Sequence, residues 1–128
     1  MRLSANRVLA PLALAVSIVA VAGVAHAAPP AAKDGVLTGD NGMTLYTFDK
    51  DKANSGKSEC NGGCATNWPP FVASASDSAS GDYSFVTRAD GKMQWAYKGK
   101  PLYFWHKDQK PGDKTGDGFN HVWRVARG

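Results

Sequence analysis

Cysteine is scarce in this chain of 128 residues, and so is any excess charge of one sign. Two cysteines exclude a scaffold held by many disulfides, and a hydrophobic content of 43% excludes a disordered tail. The glycines and prolines follow no three-residue period, which excludes a collagen-like repeat. Basic residues exceed acidic ones by only 15 to 11, so no nucleic-acid partner is expected. What remains is the composition of one ordinary globular domain.

A long uncharged run lies near the N-terminus. Arg2 and Arg7 precede residues 8–24, which carry no charged side chain, and Ala25-His26-Ala27 follows with small residues around a histidine. This pattern predicts a secretory signal peptide over residues 1–27, with cleavage after Ala27. The alternative is a membrane-anchoring helix, but the run is shorter than the ~20 residues that a spanning helix needs, and it contains Pro11.

Export determines several further expectations. Removal of Arg2 and Arg7 lowers the formal net charge from +4 to +2, and the remaining charges are scattered along the chain, so no basic stripe is expected. No cysteine stands near the cleavage site, so we expect no lipid anchor and a periplasmic or secreted protein. Residues 28–34, rich in alanine and proline, are predicted to be a flexible leader. Residues 35–128 are predicted to form one domain.

Short segments that favour β-structure, separated by turn residues, fill this domain. They lie at 36–38, 43–48, 83–88, 93–97, 102–105 and 119–125. Asn41-Gly42 and the turn 89–92 each join two such segments and predict β-hairpins. No stretch of ten or more residues has the apolar period of a helix. The predicted fold class is therefore mainly β, a small antiparallel β domain.

The domain contains an internal repeat. Residues 42–48 match residues 99–105, and each copy continues through a polar loop to a tryptophan, Trp68 in the first and Trp123 in the second. Two related repeats are therefore predicted, repeat one at about 35–72 and repeat two at about 83–126. We expect them to pair across a pseudo-twofold axis, because so short a unit buries too little apolar surface by itself.

The repeats share a Tyr-x-aromatic-x-x-Asp motif, which comprises Tyr46, Phe48 and Asp51 in repeat one and Tyr103, Trp105 and Asp108 in repeat two. Residues two apart on a strand face the same way, so the two aromatic residues form one wall, while Leu45 and Leu102 face the opposite side. The aspartate follows the strand, where its carboxylate can accept backbone N–H groups of the next loop. We interpret the motif as structural, with Trp68 and Trp123 as loop anchors. The alternative is that its tyrosines and aspartates line a binding or catalytic site.

The paired motif, together with Cys60-x-x-x-Cys64-Ala65 and Trp68-Pro69-Pro70, resembles a family of secreted bacterial repeat proteins. That family is described as predicted lipoproteins with a Yx(F/W/Y)xxD motif. The resemblance covers about Gly35 to Ala126 and implies an exported bacterial protein of small β-rich repeats, whose biochemical role is undefined for the family. This chain lacks a lipid-accepting cysteine, and its second repeat lacks the cysteine pair and the double proline.

Cys60 and Cys64 are the only cysteines, and export places them in an oxidising compartment, so a disulfide between them is predicted. Asn61-Gly62-Gly63 permits the tight backbone that this short ring requires. Because the ring is small, we expect it to contribute about 1–2 kcal/mol and to hold the loop that delivers Trp68. Thioredoxin-like and c-type haem sites are not indicated, because both need two residues between the cysteines.

A soft-metal site is an alternative role for the sulfur and imidazole side chains. His106, His121, Met43 and Met93 are of the types that suit copper, but no two of them have a diagnostic spacing. His106 is expected in a loop or on the surface. His121 is in phase with Trp123 and is expected to be partly buried.

No catalytic constellation is found, since the chain has no calcium-loop spacing, no nucleophile elbow and no phosphate-binding loop. We therefore expect a non-enzymatic, exported β-repeat protein without a cofactor. It would act as a binding or envelope-associated module, with an envelope protein as a candidate partner. Two alternatives stay open: a periplasmic copper-handling or redox-related protein, and an enzyme whose site the sequence does not reveal.

Overall fold

The computed structural model describes residues 29–128, and the signal peptide predicted at residues 1–27 lies outside that range. The described chain forms seven short strands: β1 (Ala31–Lys33), β2 (Val36–Thr38), β3 (Tyr46–Phe48), β4 (Tyr83–Thr87), β5 (Met93–Tyr97), β6 (Lys100–Pro101) and β7 (Trp123–Val125). They pair antiparallel in three small sheets, β1-β2, β3-β7 and β4-β5-β6. The predicted mainly β class is confirmed. Across residues 29–128, no helix has the length and apolar character to cross a membrane.

Both predicted hairpins are confirmed. In the first, Thr38 bridges to Thr44, and Gly39 N–H donates to Met43 O at 3.0 Å around the Asn41-Gly42 turn. Gly42 has a φ of 80°, which is the left-handed conformation that a tight turn requires and that glycine adopts without strain. In the second, β4 pairs with β5 from Tyr83 opposite Tyr97 down to Thr87 opposite Met93.

The flexible leader predicted at residues 28–34 is wrong from Ala31 onward. Ala31 lies opposite Thr38 and Lys33 opposite Val36, so β1 and β2 form a further hairpin. Its turn residues Asp34 and Gly35 both have positive φ, 53° and 80°, the geometry that joins two strands with matching twist. The Asp-Gly pair is a local hairpin signal, but the exposed alanines before it do not have the alternation of a half-buried strand.

Two short helical turns occur where none was predicted. Helix α1 spans Gly63–Asn67, and a 3-10 turn spans Phe119–His121. The strand predicted at 119–125 is therefore wrong in its first part, and only Trp123–Val125 is extended. Asn120 and His121 have φ values of 51° and 62°, which no strand can accommodate. Both turns are too short to show a helical apolar period in the sequence.

The two repeats pair at the centre of the domain through the tyrosines of their motifs. Tyr46 N–H donates to Tyr103 O at 2.8 Å, and Tyr103 N–H donates to Tyr46 O at 2.9 Å. Strand β7 of repeat two then pairs with β3 of repeat one, where Tyr46 lies opposite Val125, and Pro70 of repeat one forms an isolated bridge with Tyr103 of repeat two. Each repeat is therefore incomplete without the other.

The core has two parts on opposite sides of the motif strands. On one side lie the motif aromatics with both anchor tryptophans, namely Tyr46, Phe48, Trp68, Tyr103, Trp105 and Trp123. On the other side Leu45 and Leu102 pack with Leu37, Phe71 and Trp95. The predicted alternation of side chains over residues 45–48 and 102–105 is confirmed, and it directs the tyrosines toward the aromatic side. The strand predicted at 102–105 is wrong in extent, since Tyr103 is its only bridged residue.

Candidate functional site

The motif tyrosines and aspartates pair crosswise between the repeats. Tyr46 Oη donates to Asp108 Oδ2 at 2.6 Å, and Tyr103 Oη donates to Asp51 Oδ2 at 2.5 Å. The tyrosines are fully buried, and the two aspartates are 2% and 9% exposed. Each carboxylate therefore holds the tyrosine of the other repeat, a partnership that the sequence analysis did not anticipate.

The second oxygen of each carboxylate binds the loop that follows its own strand. Asp51 Oδ1 accepts from Glu59 N–H at 2.6 Å, and Asp108 Oδ1 accepts from the N–H and hydroxyl of Thr115 at 3.0 and 2.6 Å. These are the bonds that the strand-exit interpretation predicts. One aspartate thus fixes a loop in its own repeat and a tyrosine in the other, so the four side chains join the two halves.

Burial sets the protonation of this cluster. Desolvation raises the pKa of both tyrosines far above 10, and the hydrogen bond from each phenol to its carboxylate adds to the increase. Burial also raises the pKa of Asp51, against the opposing effect of the hydrogen bond from Tyr103. The phenols therefore remain neutral donors, as their structural role requires.

Four aromatic rings form a continuous stack beside the tyrosines. Phe48 stacks on Trp123 with ring centroids 4.3 Å apart, Trp123 on Trp68 at 3.8 Å, and Trp68 on Trp105 at 4.0 Å. All four rings are at most 8% exposed. Trp123 and Trp68 lie at the centre of the stack, and the motif aromatics Phe48 and Trp105 lie at its ends. These rings fill the core, and of the four only Trp105 also lines one of the clefts described below.

Cys60 and Cys64 form the predicted disulfide. Their Cα atoms are 5.2 Å apart, and the bond closes across the start of helix α1. Cys64 O accepts from Trp68 N–H at 2.8 Å at the end of that helix. The disulfide therefore braces the turn that brings Trp68 into the aromatic stack.

Arg88 forms a buried polar cluster that the sequence analysis missed. Its guanidinium donates to Cys60 O at 2.7 Å, to Gln94 Oε1 at 2.7 Å and to Ser58 Oγ at 3.1 Å. Ser58 Oγ also lies 2.6 Å from Tyr103 Oη, which links this cluster to the crossed pairs. Arg88 follows an ordinary hairpin strand, and no local sequence signal distinguishes it from a solvated arginine.

The four soft-metal candidates do not form one group. Met43 and His106 line a common cleft of about 260 Å³, to which Phe104, Trp105 and Asp108 also contribute. We call it the third cleft, because two larger clefts are described below. Met93 is 39% exposed on β5, and His121 is exposed in the 3-10 turn, so the partial burial predicted for His121 is wrong. Within residues 29–128 no three His, Cys, Asp or Glu side chains are grouped to hold a metal ion.

Two adjoining clefts gather basic side chains that are far apart in the sequence. One, of about 370 Å³, is lined by Lys33, Lys114 and Arg127, and the other, of about 510 Å³, by Lys98, Lys100, Arg124 and again Arg127. We call these six residues the basic face. The expectation that scattered charges leave no basic stripe does not hold at these clefts. The pairing of β1 with β2 and the bridge from Val36 to Arg127 bring Lys33 and Arg127 together, and the turn after β5 lines the second cleft with Arg127.

Most of the basic face is free of acidic partners. The ion pairs among residues 29–128 are Lys57–Glu59, Lys110–Asp113 and Arg124–Asp49. Lys100 instead donates to two backbone carbonyls, Phe48 O and Asp51 O, at 2.9 and 2.7 Å. Four cations, Lys33, Lys98, Lys114 and Arg127, therefore face the two clefts without an ion-pair partner. Asp34 and Asp117 are the acidic side chains that line them.

Comparison with known proteins identifies the repeats. A family model described as a secreted repeat of unknown function, Lipoprotein_15, matches residues 31–72 and again residues 84–127. The first match begins with β1, which the structure places inside repeat one. No curated protein and no solved structure matches the chain. The two matches together span most of the chain, and the fold consists of two interlocked halves. The protein therefore belongs to this family of secreted repeat proteins.

Proposed function

We propose that this protein is an exported, non-enzymatic binding module that holds an anionic ligand on its basic face. The single observation that carries the proposal is the position of Arg127, which lines both clefts amid cations that have no ion-pair partner. A cleft lined mainly by one sign of charge concentrates ligands of the opposite sign.

The burial and hydrogen bonding of the motif tyrosines and aspartates support a non-enzymatic role. Tyr46 and Tyr103 are fully buried, and their hydroxyls are already bonded to carboxylates. Asp108 reaches the third cleft, but Tyr46 and Thr115 occupy its two oxygens. General acid–base catalysis needs a titratable group within hydrogen-bond reach of a substrate, and these groups are held within the fold.

Envelope association follows from the ligand class. A secreted repeat protein works outside the cytoplasm, in the periplasm or beyond, after removal of residues 1–27. The anionic groups that it meets there are the carboxylates and phosphates of envelope components. The basic face suits such groups because arginine and lysine side chains bind both by charge-assisted hydrogen bonds.

A binding assay with two defined polyanions tests the proposal. Polyglutamate presents carboxylates and polyphosphate presents phosphates, so the stronger of the two identifies the preferred group. We expect a dissociation constant that rises with salt, because exposed charges are screened. Reversal of charge in Arg127→Glu or Lys98→Glu should weaken binding about tenfold, or 1.4 kcal/mol.

Charge reversals outside the basic face supply the control. Lys50 and Lys107 are exposed and line neither cleft. Lys50→Glu and Lys107→Glu therefore change the net charge by the same amount as the two test variants, but at positions outside the proposed site. They should leave affinity within about twofold, since distant exposed charges contribute little. Equal losses in both sets would mean binding by net charge alone and would refute the proposed site. So would the absence of binding to either polymer.

A further inference from the structure

We propose that Met43 and His106 form a binding site for monovalent copper in the third cleft. The site is distinct from the basic face, because none of the six basic residues lines the third cleft, although Thr44 lines both this cleft and the cleft of about 370 Å³. The fold supplies one ligand from each repeat, Met43 from the hairpin of repeat one and His106 from the end of the motif strand of repeat two. The inference is independent of anion binding.

The hydrogen bonding of His106 leaves one ring nitrogen available as a ligand. Nδ1 lies 3.0 Å from Asn67 O. A carbonyl oxygen only accepts hydrogen bonds, so Nδ1 carries the proton and Nε2 of the neutral imidazole keeps its lone pair. Metal-binding histidines commonly have this arrangement, with the second ring nitrogen bonded to a backbone carbonyl that fixes the tautomer and the ring orientation.

The first hairpin, which carries Met43, packs against the segment that precedes this histidine. A Cβ atom on Gly39 would lie 2.6 Å from Phe104 Cζ, so only glycine lets the first hairpin rest on Phe104. Within the same turn, Met43 N–H donates to Asn41 Oδ1 at 2.9 Å, which orders the backbone that carries the thioether. Met43 is partly exposed and lines the same cleft as His106.

The ligand types select monovalent copper over harder cations. Thioether sulfur is a soft ligand that suits Cu(I), and imidazole also suits copper. Cu(I) is stable with two or three ligands, whereas structural zinc requires four and calcium six or more. Asp108 is the carboxylate of the cleft, and its oxygens are already bonded to Tyr46 and Thr115. A hard cation would therefore have to share these oxygens with Tyr46 and Thr115.

An anaerobic titration of the full-length exported protein with Cu(I), in competition with a chromophoric chelator, tests the site. We expect one bound equivalent, the same stoichiometry with Ag(I) as a redox-inert probe, and no binding of Zn(II). Met43→Leu keeps the side-chain volume, and His106→Asn keeps a nitrogen donor for Asn67 O while removing Nε2. Each variant should lower the affinity for Cu(I) by more than about tenfold, since loss of an outer-shell partner alone costs that much.

Matched controls are Met93→Leu and His121→Asn, which remove the same side chains from exposed positions outside the cleft. They should bind one equivalent of Cu(I) with unchanged affinity, as should Arg127→Glu. NMR of the wild-type protein should show Cu(I)-dependent shifts at the Met43 methyl and the His106 ring. The proposal is overturned if the protein binds no Cu(I), if folded Met43→Leu binds as the wild type does, or if the controls lose as much. If His106→Asn unfolds, Met43→Leu decides.

Discussion

The crossed pairing of tyrosine and aspartate predicts which residues are coupled energetically. A cycle of Tyr103→Phe and Asp51→Ala removes the partners singly and together, and a second cycle combines Tyr103→Phe with Asp108→Ala. The structure bonds Tyr103 to Asp51 across the repeats at 2.5 Å, whereas Asp108 is bonded to Tyr46. The two cycles therefore have different expected outcomes, although both pair a motif tyrosine with a motif aspartate.

Burial determines the size of the effect. A hydrogen bond to a charged group contributes about 1.5–3 kcal/mol, and Tyr103→Phe also leaves one oxygen of the buried Asp51 without this donor. We expect Tyr103→Phe to lower the free energy of unfolding by about 3 kcal/mol. The coupling energy between Tyr103 and Asp51 should be about 1.5–3 kcal/mol. Between Tyr103 and Asp108, which have no hydrogen bond, it should be under about 0.5 kcal/mol.

Urea unfolding followed by tryptophan fluorescence measures these free energies, because three of the four tryptophans lie in the stack next to the tyrosines. A domain of this size has a stability of about 5–15 kcal/mol, so Tyr103→Phe should remain folded. The reasoning fails if the coupling of Tyr103 with Asp108 equals or exceeds its coupling with Asp51. That result would mean that each repeat pairs its own tyrosine and aspartate.

Three further predictions concern pH, packing and the disulfide. The pKa values of Tyr46 and Tyr103 are higher in the folded protein than in the unfolded chain, so the free energy of unfolding should fall as pH rises above about 10. Urea titrations at alkaline pH should show this dependence, and Tyr103→Phe should reduce it. Gly116→Ala would place a Cβ 2.7 Å from Trp68 Cη2, and it should lower the free energy of unfolding, measured by thermal denaturation, by about 1–3 kcal/mol. Gly63→Ala is the control: its Cβ would have no neighbouring atom within 4 Å, so it should be neutral or stabilising. Replacement of both cysteines by serine should cost about 1–2 kcal/mol without loss of the fold, and complete unfolding would contradict the minor role assigned to the ring.

Local sequence signals were sufficient for much of the fold. Turn residues such as Asn41-Gly42 and the alternation along each motif strand identified two hairpins and the side to which the tyrosines point. The cysteine pair was predictable because its ring closes over a few residues. Signals failed where an element was very short: β1 has exposed alanines, and the 3-10 turn depends on positive φ at Asn120 and His121.

The candidate sites were less accessible to sequence reasoning. The motif named Tyr46, Tyr103 and both aspartates, but a pattern repeated in two copies cannot state which copy supplies the partner. The four soft-metal candidates were chosen by ligand type alone, and the structure separates Met43 and His106, which share a cleft, from the other two. The basic face had no sequence signal, because its residues come from β1, from the turn after β5 and the start of β6, from the loop before the 3-10 turn, and from β7 and the C-terminal residues.

The amino-acid sequence by itself determined that this protein is an exported pair of related β repeats, with one disulfide and an aromatic interior. Only the tertiary structure decided that β7 of repeat two pairs with β3 of repeat one, that Tyr46 binds an aspartate 62 residues away, and that scattered lysines and arginines line two clefts that share Arg127. The reason is one of range. Strand and turn preferences act over a few neighbouring residues, whereas partner choice and charge grouping depend on which surfaces meet when the two halves pack together.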